Sequence, residues 1–172
     1  MNYFEFYAIP VAFLLDESDL KQKYYELSRS YHPDFHTLAT ATEQEAVLEK
    51  STLNNQAFKT LASFDSRLKY ILDLFGKLKT EGENKVPQDF LMEMMDINES
   101  VMELEMEPSR ERRDHLRNQI KEMEDQALAA ISTMLRAEIS QLADDDWKVI
   151  TDYYLKSRYL RRLSDNIEKM LD

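Results

Sequence analysis

The chain has 172 residues but no cysteine, only two glycines, four prolines and three histidines. Without Cys there is no disulfide, no thiolate ligand and no catalytic thiol. With only three His, neither a metal nor any other cofactor is expected. So few Gly and Pro, alongside abundant Leu, Met, Glu, Lys and Gln, point to an all-α protein. Positive charge is also scarce: 22 Lys and Arg against 33 Asp and Glu give a net charge of −11. The deficit runs through the whole chain, with 7 basic and 11 acidic residues in 1–76 and 15 against 22 in 77–172. Sequence-independent nucleic-acid binding needs a basic surface to displace counterions, so no nucleic-acid partner is expected. No apolar run approaches membrane-spanning length, and Met1 leads straight into an aromatic-rich helical segment. The expectation is a cytoplasmic protein without a membrane partner. No Gly-rich loop is present to cradle a phosphate.

What is present is organised around Tyr31-His32-Pro33-Asp34. Leu20, Tyr24, Leu27 and Tyr31 recur at the period of one helix face, with Asp16 or Ser18 as candidate caps. Pro33 has no N–H and disfavours helical dihedrals at His32, so His32 and Asp34 are set in a loop just beyond the helix end. On a helical wheel Gln22 and Arg29 point away from the apolar stripe, with Lys21 between them. That face is either simply solvated or a docking surface for an acidic partner. Before it, Asn2 can cap a short helix over Tyr3–Ala8 that stops ahead of Pro10. After it, Thr42 and Glu45 have the spacing of a capping box for a helix over 43–62 presenting Ala46, Leu53, Ala57 and Leu61. A further short helix, Arg67–Phe75, has Leu68, Leu72 and Phe75 as its apolar side.

Two helices joined by a loop that displays an imidazole, a proline ring and a carboxylate resemble the J-domain, the module that stimulates ATP hydrolysis by DnaK-type chaperones. Asn55-x-Ala57-Phe58-x-x-Leu61, followed by Arg67 and Tyr70, matches the J-domain pattern in order and spacing. Asn54 and Phe64 depart from it, standing where an aliphatic residue and Pro are usual. The resemblance implies that His32, Pro33 and Asp34, with Lys21, Gln22 and Arg29, contact the chaperone.

Residues 77–87 hold Gly82 and Pro87 among several charges and read as a linker between a first domain, 1–76, and a second, 88–172. Pro87 suits the first turn of a helix ending near Glu107, ahead of Pro108. Ser109 can cap a long helix running to about Leu142, roughly 50 Å if unbroken. Asp144–Asp146 place negative charge at the start of a last helix, whose buried stripe is Ile150, Tyr153, Leu160, Leu163, Ile167 and Met170 or Leu171. Three antiparallel helices with short connections make a three-helix bundle.

The first of these helices has one apolar face too many. Phe90, Met94, Ile97, Val101 and Leu104 suffice for the core, yet Leu91, Met92, Met95, Asp96, Glu99 and Glu103 gather on the opposite side. An exposed Leu/Met patch flanked by carboxylates either is covered by neighbouring chain or binds a protein. Tyr159, off the stripe of the last helix, is either a surface ring or part of the same contact face. A J-domain, a linker, and Phe90-Leu91-Met92-Glu93 opening a three-helix bundle resemble HscB, the J-type co-chaperone family of iron-sulfur cluster biogenesis. That resemblance spans the chain. It implies a partnership with the DnaK-type chaperone HscA and with the iron-sulfur scaffold protein IscU, the latter held by Leu91, Met92, Met95, Asp96, Glu99, Glu103 and Tyr159.

Three alternatives stand beside it. An enzyme would use His32 and Asp34 as an acid-base pair, but no nucleophile or metal-ligand set accompanies them and Pro33 between them disfavours mutual orientation; no catalytic residue is expected. A J-domain co-chaperone for a different client at the Leu/Met face is the second; its general-purpose form, binding unfolded clients, is opposed by the lack of a Gly/Phe-rich linker and of Cys-x-x-Cys repeats. Self-association through the Met-rich face is the third.

Overall fold

The computed structural model describes residues 1–80 and 82–170; Leu171, a candidate for the last buried stripe, lies outside them. Seven α-helices and no strand occur among the described residues. The chain divides into two compact units, Met1–Phe75 and Gly76–Asp172.

In the first unit, α1 (Tyr3–Phe6) is closed at its start by a reciprocal box: Glu5 N–H donates to Asn2 Oδ1 and Asn2 N–H to Glu5 Oε2, each at 2.9 Å. It ends two residues earlier than Tyr3–Ala8, because Ala8 adopts φ +50° and turns the chain away. Helix α2 (Glu17–Ser30) takes Asp16 as its cap, whose carboxylate accepts from Ser18 N–H at 2.8 Å and Asp19 N–H at 3.1 Å. Helix α3 (Ala41–Ala62) begins two residues ahead of the expected box, which is formed by Thr40 and Glu43 rather than Thr42 and Glu45. The earlier pair wins because Thr40 is extended, with ψ 158°, while Thr42 already lies inside the helix. Helix α4 (Phe64–Leu74) likewise starts early, with Ser63 as its cap. Phe75, expected on its apolar side, is 42% exposed, and Ile71 is buried with Leu68 and Leu72 instead. Gly76 follows in the left-handed region at φ +62°, as a helix C-terminus favours.

The core of this unit gathers Phe4, Tyr7, Phe13, Leu20, Leu61 and Leu68. Two buried polar residues tie its elements together. Asn54, in place of the usual aliphatic residue, accepts from Tyr7 Oη at 2.8 Å and donates to the Tyr24 carbonyl at 3.1 Å and Ser28 Oγ at 2.9 Å. Burial pushes the Tyr7 hydroxyl pKa well up, so it stays protonated and able to donate. Arg67 Nε donates to the Phe13 carbonyl at 2.8 Å and Nη1 to that of Leu61, while the Phe64 ring lies 5.9 Å from its guanidinium. These bonds satisfy carbonyls at the end of α3 and in the α1–α2 connection.

In the second unit, α5 (Gln88–Met106), α6 (Arg110–Ile131) and α7 (Asp144–Lys169) form the three-helix bundle. Phe90, Met94, Ile97, Val101 and Leu104 of α5 are all buried, with Leu116 and Ile120 of α6 and Leu160, Leu163 and Ile167 of α7. Ser109 caps α6 as expected. That helix stops at Ile131 rather than near Leu142, so it is about 33 Å long and not 50 Å. Two 3₁₀ turns, Met134–Arg136 and Ile139–Gln141, fill the remainder. The first of these turns buries Leu135. No helix among the described residues is long and apolar enough to cross a membrane.

Candidate functional site

The loop between α2 and α3 is held from both sides. His32 is extended, and its Nδ1 accepts from Asp34 N–H at 3.2 Å, capping a 3₁₀ turn over Pro33–His36. Accepting there leaves the proton of the neutral ring on Nε2. The Asp34 carboxylate lies 3.8 Å from His32 Nδ1, beyond hydrogen-bond reach but within ion-pair range of a protonated ring. His36 Nε2 donates to the Ser30 carbonyl at 2.8 Å, closing the C-terminus of α2. From the other side Gln44 Nε2 reaches the carbonyls of His36, Thr37 and Ala39 at 3.1–3.2 Å. His36 and Gln44 were not legible as loop supports, because their partners are backbone atoms. His32, Pro33 and Asp34 are themselves exposed, a rigid display rather than a buried constellation.

On α2, Lys21, Gln22 and Arg29 are exposed. Gln22 donates to Glu26 at 2.9 Å, one turn along, so a carboxylate sits within this face and tempers the positive character expected of it. Tyr25, 67% exposed, falls between Gln22 and Arg29 on the same side, and Phe35, 70% exposed, follows Asp34 directly. Both rings were missed in the sequence. Tyr25 carried a signal, since it lies off the Leu20, Tyr24, Leu27 stripe.

In the second unit Leu91, Met92 and Met95 are 43%, 63% and 66% exposed, and Asp96, Glu99 and Glu103 are exposed beside them. The surplus face is therefore solvent-facing while Phe90 and Met94, its immediate neighbours in sequence, are buried. Tyr159 lies between the two expectations. It is half-buried, edge-on to Phe90 at 5.6 Å, and its hydroxyl exchanges hydrogen bonds with the Asn98 amide at 2.9 and 3.2 Å. It thus anchors α7 to α5 and leaves only part of its ring to a partner.

A family model described as the HSCB C-terminal oligomerisation domain matches residues 86–168. Among solved structures the chain is similar to the chaperone HscB from Vibrio cholerae, with TM-score 0.70 and 25% identity over 98% of this chain and 96% of that one. It is also similar to the human co-chaperone protein HscB, with TM-score 0.77 and 27% identity over 98% of this chain and 81% of that one. Both likenesses extend across the two units.

Proposed function

This chain belongs to the HscB-type J-domain co-chaperones, and from that premise we propose that it works as a two-site adaptor in iron-sulfur cluster biogenesis in the cytoplasm. The first unit stimulates the ATPase of a DnaK-type chaperone, HscA, through His32, Pro33 and Asp34 with Lys21, Gln22 and Arg29 alongside. The second delivers the scaffold protein IscU, held on Leu91, Met92, Met95, Asp96, Glu99 and Glu103 with the open part of Tyr159. The observation that carries the reading is that each unit holds one solvent-facing surface its own core does not use: a braced loop in the first, an apolar helix face in the second.

ATP is bound and hydrolysed by the chaperone, and the cluster is the scaffold's cargo; this chain's part is to bind and position. His32 and Asp34, fixed by the Nδ1 cap and the His36 and Gln44 braces, need little ordering on contact, which lowers the entropic cost of docking. Carrying client and activator on one chain raises their effective concentration. By linkage, whatever favours the hydrolysis-competent chaperone then favours the ternary complex. Self-association is a second reading, favoured by the oligomerisation domain that the matched family model describes.

The test is single-turnover ATP hydrolysis by HscA with this protein, with IscU, and with both. Stimulation by the pair well above the product of the separate effects supports the adaptor. Stimulation indifferent to the scaffold would remove the IscU assignment and leave a J-protein with another client.

A further inference from the structure

The exposed face of α5 does not end with the residues assigned above. Met102 and Met106 are 63% and 76% exposed, as open as Met92 and Met95. At the helical period these four methionines fall within about 80° of one another, so they form one stripe. From Leu91 to Met106 it runs about 22 Å along the helix. The charge around it is one-sided: α5 carries six Asp and Glu and no Lys or Arg, while α6 and α7 carry both signs. Among the described residues none of those six carboxylates makes an ion pair within the chain.

We propose that the docking face runs the full length of α5 through Met102 and Met106, and that its occupant is an elongated apolar strip of the scaffold bordered by Lys or Arg. The inference rests on the scaffold-binding reading above and extends it. Methionine is flexible and polarizable, so it adapts to a partner whose shape changes along the strip. Unneutralised carboxylates favour a basic border and steer the encounter. A second copy presenting the same face would set carboxylate against carboxylate, which opposes pairing.

Titration calorimetry of IscU into the full-length Met102→Gln/Met106→Gln protein tests this, with thermal melting and light scattering on the same samples. About tenfold weaker binding at unchanged melting temperature is expected, with wild-type affinity falling as salt is raised. Wild-type affinity in the double variant would overturn the proposal. If Leu91→Ala/Met92→Ala/Met95→Ala loses binding in that case, the scaffold reading itself stands. Failure of the wild-type protein to bind IscU would remove both. A dimer that dissolves in the double variant would give the stripe to a second copy and overturn the assigned occupant.

Discussion

The two units present their surfaces by opposite means. In the first, polar bonds do the positioning: Asn54 links α1, α2 and α3, Arg67 closes the end of α3, and His36 and Gln44 hold the loop by its carbonyls. In the second, the buried set among the described residues is hydrophobic apart from Ser157, and the candidate surface is only the far side of a helix whose near side fills the core. Displaying a three-residue loop requires a fixed backbone, which directional hydrogen bonds supply. Displaying a helix face requires only that the helix be there, which non-directional burial supplies.

That contrast is open to five perturbations, the largest expected to be His32→Gln. It should abolish stimulation of the chaperone ATPase in a single-turnover assay while IscU binding by calorimetry stays at the wild-type level. Loss of both activities would mean that the units do not act separately. Next, Leu91→Ala/Met92→Ala/Met95→Ala should weaken IscU binding by about ten- to a hundredfold with little change in melting temperature. Leu104→Ala, on the buried side of the same helix, should cost about 3 kcal/mol in urea unfolding. Equal destabilisation by both variants would show that the two faces of α5 are alike.

Asn54→Leu restores an apolar residue of the usual kind but strips partners from Tyr7, Ser28 and the Tyr24 carbonyl. A loss of about 1–2 kcal/mol confined to the first unit is expected in denaturant titration; a gain would show that the polar ties are dispensable. The smallest effect is that of acid. Hydrogen bonds from Ser18, side chain and backbone, and from Asp19 lower the Asp16 pKa, and the backbone and hydroxyl of Thr40 lower that of Glu43. The folded state therefore binds protons less tightly than the unfolded one at these caps. Their contribution is present above the ordinary carboxylate pKa and lost as pH falls through the lowered values. Asp16→Asn with Glu43→Gln should flatten that part of the melting-temperature profile in acid, and an unchanged slope would assign the acid sensitivity elsewhere.

Local signals in the sequence survive where one or two neighbouring residues decide the outcome. Pro33 ended α2, Asn2 and Ser109 capped their helices, and the five core positions of α5 are all buried. Misplaced features depend on what lies opposite. Ala46 was expected on the apolar face of α3 but is exposed. Asn54 was legible only as a departure; nothing in its neighbours announces that Tyr7, 47 residues away, completes its hydrogen bonds.

By itself the sequence determined the all-helical class, the exposed His32-Pro33-Asp34 loop and the surplus face of α5, since each follows from backbone restrictions or a periodicity contained in a few turns. Tertiary structure alone decided that Tyr159 is half-committed to Asn98 and Phe90, and that His36 and Gln44 brace the loop. In each of these the deciding partner is a backbone carbonyl or a side chain on another element, and only folding brings it within reach.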